Sequence, residues 1–240
     1  MNAHTMSNAL RDTLSELAVA CRVLAMEGHE DGTQGHLSYR DPEGRGLWLK
    51  RQGVSFGEIA DADDFVLVDF HGEKLAGGGR RHSEWPIHAE IMKARPEVNV
   101  VGHSHPHFAT LFSTLQEEFR PFVQDGYRVR GHVVPRFTAT SVLIRTPALG
   151  QALARALGDK WAVLMRNHGI SFCGESVADA ALTAIFLERA CQAFFEVKAS
   201  GLPFHLPDDA ELREHAKVFT TDWFLGDNWG YFTRKLQRRR

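Results

Sequence analysis

The spacing of apolar residues in the first third of the chain changes from a helical period to a strand period. Residues 8–27 carry apolar side chains three and four positions apart, and this spacing predicts an amphipathic helix that ends before Gly28. Three short strand-like runs follow at 36–40, 46–50 and 64–70. The glycine-rich segment 71–81 predicts a turn and a flexible loop.

Predicted helices and strands alternate along the rest of the chain. Helices are predicted at 83–96, 107–116, 148–158 and 176–201, strands at 98–105, 161–166 and 169–174, and candidate strands at 131–135 and 141–145. Helices before, between and after one set of strands predict an α/β fold with a central mixed β-sheet flanked by helices. We expect a single domain over 1–240, with its core at about 8–201 and a C-terminal extension at 202–240.

Composition places the chain among ordinary globular proteins. Hydrophobic residues make up 43% and charged residues 24%, and the formal net charge of -2 predicts no general attraction to nucleic acid or membranes. No apolar run approaches the ~20 residues that span a bilayer, and the first residues lack the layout of a signal peptide. The three cysteines are far apart and are interpreted as reduced core thiols. These features predict a soluble, cytoplasmic protein with a solvated basic terminus at 234–240.

Three of the thirteen histidines suggest a metal site. His103 and His105 stand two positions apart on a predicted strand, so their side chains share one face. His168 lies in a tight turn between two predicted strands. Three imidazoles can hold a divalent cation and leave a coordination position open for substrate. The alternative is that these histidines are only hydrogen-bonded groups at the edge of the sheet.

Glu84 is a candidate acid or base. It shares a face of the predicted helix with His88, and the turn after that helix leads directly into the strand that carries His103. A glutamate near a metal site can give or take a proton during the reaction. The alternative is a solvated carboxylate in the first turn, stabilised there by the helix dipole.

Three motifs resemble the class II aldolase/adducin family over residues 10–200: SEWPIH, RPEVNVVGHSHP and LMRNHGISFCGESVADA. The resemblance implies a mixed sheet flanked by helices and a homotetramer with active sites at subunit interfaces. It also implies one divalent metal, with zinc favoured over manganese, cobalt or iron. The family's metal ligands fall on His103, His105 and His168, and its catalytic glutamate falls on Glu84.

The departures from the family pattern lie in the substrate-binding loops. His36 stands where phosphate-using members have asparagine, Arg51 begins the segment that replaces their phosphate turn, and His82 and Ser83 replace a pair of serines. The cationic residues of these loops (Lys50, Arg51, Arg80, Arg81 and His82) suit a carboxylate as well as a phosphate. The chain thus resembles the branch that decarboxylates aromatic or semialdehyde acids. The predicted substrate-binding residues are His36, Arg51, Arg81, His82, Ser83 and Tyr127, the last of which lies near the position of the family's tyrosine acid.

The resemblance implies a metal-dependent carbon–carbon lyase that acts on a small molecule through a metal-stabilised enolate. It would decarboxylate a small hydroxylated carboxylic acid or cleave an aldol. Two alternatives are a sugar-phosphate aldolase or epimerase, and a non-catalytic adducin-like interaction module. A non-haem iron oxygenase on the same scaffold is a further possibility, because three histidines also hold iron.

Overall fold

A computed structural model describes residues 6–130, 133–219 and 221–239. Its centre is one eight-stranded sheet with the strand order β4-β3-β2-β1-β5-β8-β7-β6. The strands are β1 (His36–Arg40), β2 (Leu47–Lys50), β3 (Phe65–Val68), β4 (Lys74–Ala76), β5 (Val100–Ser104), β6 (Arg136–Phe137), β7 (Ala162–Met165) and β8 (Gly169–Gly174). Neighbouring strands are antiparallel except for the parallel pair β6 and β7.

Helices cover both faces of this sheet. They are α1 (Asn8–Met26), α2 (Trp85–Ala94), α3 (His107–Ser113), α4 (Gln124–Tyr127), α5 (Pro147–Leu157), α6 (Val177–Ser200), α7 (Asp209–Phe219) and α8 (Asp222–Arg238), with a short 3-10 helix at Ala62–Asp64. One buried apolar cluster joins the sheet to α1, α3, α6 and α8, and a second joins it to α2 and α5. The predicted fold, a mixed sheet flanked by helices, is therefore confirmed.

Two predicted strands and one predicted loop were wrong. The pairing with β7 falls on Arg136–Phe137, beyond the predicted run 131–135, of which residues 131 and 132 lie outside the described part. The run 141–145 is irregular, and the backbone N–H of Ile144 donates to Glu84 rather than to a strand. Within the predicted glycine loop, Lys74–Ala76 pairs with β3.

The basic end of the chain is helical rather than a frayed terminus. Arg234, Lys235 and Arg238 belong to α8, and Phe232 of the same helix is buried. The Lys235 ammonium lies 2.5 Å from the Glu27 carboxylate at the end of α1. Apolar contact and this ion pair therefore hold α8 against the domain.

The register of the sheet brings the chemically important residues together. His36 on β1 is paired with His103 on β5, and Ser171 on β8 is paired with His103 from the other side. Gly102 allows the close packing, because a Cβ atom there would lie 2.2 Å from the Phe172 ring. None of the helices within the described residues has the length and apolarity needed to cross a membrane.

Candidate metal centre and active site

The end of β5 presents His103 and His105 with their Nε2 atoms 3.0 Å apart. Nδ1 of His103 lies 2.8 Å from the Ile170 carbonyl oxygen, and Nδ1 of His105 lies 3.0 Å from the Asp31 carboxylate. Both of these partners are acceptors, so each Nδ1 carries the ring proton and donates it. When both rings are neutral, each Nε2 atom carries a lone pair, and the two lone pairs face one another.

A tight turn between β7 and β8 supplies His168. The His168 N–H donates to the Met165 carbonyl oxygen at 3.0 Å, and Asn167 takes the left-handed conformation (φ 55°) that asparagine tolerates in turns. The His168 ring centroid lies 4.9 Å from that of His103 and 5.1 Å from that of His105. Among the described residues, neither buried ring nitrogen of His168 has a hydrogen-bond partner.

These three histidines fit a divalent cation. Two nitrogens bound to one tetrahedral zinc at ~2.0–2.1 Å would be ~3.3 Å apart, close to the 3.0 Å between His103 and His105. Without a cation, two facing lone pairs at that distance repel each other. Burial lowers the pKa of His103 well below its ordinary value and that of His168 to about 4, so both rings remain neutral and able to bind a metal.

Glu84 lies beside this cluster, at the start of α2. Its Oε1 accepts the Ile144 N–H at 2.8 Å, and its Oε2 lies 3.9 Å from Nε2 of His103. The side chain is only 2% exposed, so it is not the solvated first-turn carboxylate of the alternative interpretation. Burial raises the pKa of Glu84, which favours a carboxyl group that holds a proton.

His36 and His82 lie next to Glu84, with their ring centroids 3.9 Å apart. Nε2 of His36 is 3.8 Å from Glu84 Oε2, and its Nδ1 is 2.5 Å from Nε2 of His88. The Glu84 N–H donates to Nδ1 of His82 at 3.3 Å, which leaves the His82 proton on Nε2. Burial lowers the pKa of His82 to about 4. The structure thus brings both predicted histidines close to the three-histidine group of His103, His105 and His168.

The other predicted substrate-binding residues are placed differently. Arg51 is paired with Asp64 at 2.9 Å, and the Arg81 guanidinium lies 5.6 Å from the Trp85 ring centroid. Ser83 is partly exposed between His82 and Glu84. Tyr127 is stacked on His215 of α7 with a centroid distance of 3.9 Å. Lys50 is fully buried and donates to the Val54 carbonyl oxygen.

Sequence reasoning missed the groups that orient the predicted site residues. Asp31 lies in a turn-rich segment that indicates only the end of α1. Ile144 and Arg145 lie in a run that resembles a strand, yet Ile144 binds Glu84, and the charge of Arg145 acts on both His82 and Glu84. The i,i+4 spacing of Glu84 and His88 was a usable signal, but the partner of His88, Ser38 on β1, is found only from the fold.

The sequence matches a known protein family over most of its length. Residues 15–195 match the model of the class II aldolase and adducin N-terminal domain. The chain is 34% identical over 221 residues to a 3,4-dihydroxyphthalate decarboxylase of Arthrobacter keyseri, covering 85% of this chain and 88% of that protein. It is 29% identical over 209 residues to a 5-methylthioribulose-1-phosphate/5-deoxyribulose-1-phosphate aldolase of Rhodospirillum rubrum, covering 87% and 90%.

A solved structure shows the same fold over nearly the whole chain. The L-fuculose 1-phosphate aldolase of Glaciozyma antarctica PI12 superimposes with a TM-score of 0.83 at 25% sequence identity, covering 99% of this chain and 94% of that one. The matched model alone spans well over half of the 240 residues. The chain therefore belongs to the class II aldolase and adducin family and is an enzyme of that superfamily.

Proposed function

We propose that the protein is a divalent-metal-dependent lyase that decarboxylates a small hydroxylated aromatic carboxylic acid. The observation that carries this proposal is the convergence of three imidazoles and one buried carboxyl group, with Glu84 Oε2 3.9 Å from His103 Nε2. A divalent cation held by His103, His105 and His168 would stabilise negative charge on substrate oxygen atoms.

Glu84 supplies the proton that decarboxylation consumes. When carbon dioxide leaves, the electron pair of the broken carbon–carbon bond stays on the substrate carbon, and that carbon takes a proton. Burial raises the pKa of Glu84, so its carboxyl group can hold this proton before the reaction and recover one from solvent afterwards. The Ile144 N–H fixes Oε1, which leaves Oε2 directed at His103 and His36.

The groups around Glu84 support a carboxylate substrate. His82 has its proton on Nε2 and can donate it, and the positive charge of Arg145 acts on both His82 and Glu84. Hydrogen bonds from charged donors are among the strongest that a carboxylate accepts. Identity to the named decarboxylase of Arthrobacter keyseri, at 34%, also supports a dihydroxylated aromatic acid.

Aldol cleavage is the second candidate, because the same acid beside a metal can also release an aldehyde. The relatedness to the Rhodospirillum rubrum aldolase over 90% of that protein favours it. The products separate the two reactions: decarboxylation releases carbon dioxide, whereas retro-aldol cleavage releases an aldehyde, and epimerisation leaves the carbon count unchanged. Oxygen consumption would instead favour the iron oxygenase.

We also propose zinc as the metal, a cytoplasmic location and a homotetramer with its sites at subunit interfaces. Exposed apolar residues beside the site support the interface: Val142 is 62% exposed and Leu143 is 37% exposed, directly before the Ile144 that binds Glu84. Elemental analysis of the purified protein and analytical ultracentrifugation test the metal and the assembly.

The deciding experiment compares Glu84→Gln with Glu90→Gln in the zinc-loaded protein. The substrates are 3,4-dihydroxyphthalate, followed by carbon dioxide release, and 5-methylthioribulose 1-phosphate, followed by aldehyde release. We expect Glu84→Gln to lower the rate of carbon dioxide release by about 10²–10⁴-fold, as loss of a general acid does. Glu90 is a matched control, because it is a buried carboxylate of α2 that pairs with Lys93 at 2.8 Å. A near-normal rate for Glu84→Gln would refute the assignment.

A further inference from the structure

A hydrogen-bonded chain of buried side chains ends at His36 in the active site. Ser38 Oγ lies 2.7 Å from His88 Nδ1, and His88 Nε2 lies 2.5 Å from His36 Nδ1. Ser38, His88 and His36 are all fully buried. The last atom of the chain, His36 Nε2, has no hydrogen-bond partner among the described residues and lies 3.8 Å from Glu84 Oε2.

The far end of the chain fixes the direction of its hydrogen bonds. Ser38 Oγ donates its hydrogen to the Val101 carbonyl oxygen at 3.4 Å. A hydroxyl group has only one hydrogen, so toward His88 the Ser38 Oγ atom accepts, and Nδ1 of His88 is the donor. A neutral imidazole has one N–H and one lone pair, so each ring donates through one nitrogen and accepts through the other.

The direction of these hydrogen bonds also determines the tautomer of His36. With its proton on Nδ1, His88 accepts at Nε2, and the group that donates to it is the Nδ1–H of His36. His36 Nε2 is left with a lone pair in the site. A buried acceptor without a partner is destabilising, so this atom is suited to a ligand that brings a donor.

We infer that His36 is a fixed hydrogen-bond acceptor, positioned by His88 and Ser38, that selects substrates carrying a hydroxyl group beside Glu84. The neighbouring His82 has the opposite tautomer, because its Nδ1 accepts the Glu84 N–H and its proton is on Nε2. The two rings, 3.9 Å apart, thus offer one acceptor and one donor. This pair matches an acid whose hydroxyl group and carboxylate are close together, and the inference rests on the proposed function for that substrate class.

The space between His36 and Glu84 suits a second cation less well than it suits a substrate hydroxyl group. The donor atoms of His36, Glu84 and His103 lie within 4.8 Å of one another, as a metal site requires. However, His103 has only one lone pair to give, because its Nδ1–H is bound to Ile170. That lone pair already faces His105 at 3.0 Å. A cation between His36 and Glu84 would therefore compete with the first metal for His103.

Nitrogen NMR of the zinc-loaded protein, labelled with ¹⁵N-histidine, shows which ring nitrogen of His36 carries the proton and needs no enzymatic turnover. We expect a bare, pyridine-type Nε2 and a protonated Nδ1 for His36 in the unsubstituted protein. In His88→Leu, which removes the acceptor for Nδ1–H, we expect the proton to move to Nε2. A protonated Nε2 in the unsubstituted protein would overturn the inference. This readout is independent of the reaction, so a protein that cleaved aldols would still show the expected tautomer.

Ligand selection is tested with 2,3-dihydroxybenzoate, whose 2-hydroxyl group is next to the carboxylate, and with its two mono-O-methyl ethers. Methylation weakens metal chelation in any variant, so the ratio of dissociation constants is compared between the unsubstituted protein and His36→Leu. For one of the two methyl ethers, we expect the ratio of its dissociation constant to that of the free dihydroxy acid to be about tenfold smaller in His36→Leu than in the unsubstituted protein. His71→Leu, at an exposed turn, is the control and should keep the original ratio. An unchanged ratio in a folded, zinc-binding His36→Leu would contradict the inference.

Discussion

Asp31 is expected to strengthen metal binding through His105, although it does not touch the metal. Its carboxylate lies 3.0 Å from His105 Nδ1, which places the His105 lone pair on Nε2, where the lone pair of His103 faces it. A carboxylate that accepts the N–H of a metal-binding histidine typically contributes 10–100-fold in metal affinity. The Asp31 side chain is 58% exposed, so solvent screens its charge and the lower end of the range applies. We therefore expect Asp31→Ala to weaken zinc binding about tenfold.

The assay is competition for zinc with a chromophoric chelator at fixed pH. Asp31→Asn keeps an oxygen that accepts the His105 N–H but removes the charge, so its dissociation constant should fall between those of the unsubstituted protein and Asp31→Ala. Asp63→Asn is the control, since Asp63 is an exposed carboxylate paired with Arg11 and is not bonded to a site histidine. His105→Ala removes a ligand outright and should weaken binding further than either Asp31 variant. Equal zinc affinity of Asp31→Ala and the unsubstituted protein would refute the orienting role.

Two further predictions concern stability. Burial lowers the pKa of His29 to about 3, below the ~6.5 of an unfolded histidine. The contribution of neutral His29 to the stability of the folded state is therefore fully present above pH 6.5 and is lost as the pH falls toward 3. Urea unfolding measures how far the free energy of unfolding falls between pH 7 and pH 5. This fall should be about 2 kcal/mol smaller in His29→Asn than in the unsubstituted protein, and an identical fall in both would contradict this account. Gly102→Ala places a Cβ 2.2 Å from Phe172 and should cost about 1–3 kcal/mol, whereas Gly226→Ala in α8, with open space, should gain up to about 1 kcal/mol. Thermal unfolding compares this pair, and an undiminished Tm for Gly102→Ala would show that the sheet can absorb the added methyl group.

Regular hydrophobic spacing made most of the fold predictable. The helix at Asn8–Met26 and the strands at His36–Arg40 and Gly169–Gly174 lie almost where their patterns predicted them. The failures are places where a tertiary contact overrides local preference. The run at 141–145 has the residues of a strand, but the Ile144 N–H is used by Glu84 and Val142 is exposed, so no neighbouring strand pairs there.

The candidate site was predictable to the extent that it is local in sequence. The two-residue spacing of His103 and His105 on one strand is enough to place both rings together. His168 joins them only because β8 lies next to β5. This pairing brings His103 and Ile170, 67 positions apart, into hydrogen-bonding contact, and sequence spacing cannot reveal it. Asp31 is equally remote from His105, at 74 positions, and aspartate in a turn has too many ordinary roles to be singled out.

Different parts of the fold orient the histidines proposed to bind the metal and the histidine proposed to select the substrate. The ring orientation of His103 is fixed by the Ile170 carbonyl group of β8, and that of His105 by Asp31, which precedes β1. The polarity of His36 is fixed across β1, α2 and the Val101 carbonyl group, on the other side of Glu84. Because the two sets of hydrogen bonds share no donor or acceptor atom, a substitution in one leaves the other intact. Changes at Asp31 should therefore alter zinc affinity without altering preference among hydroxylated acids, and changes at His88 should do the reverse.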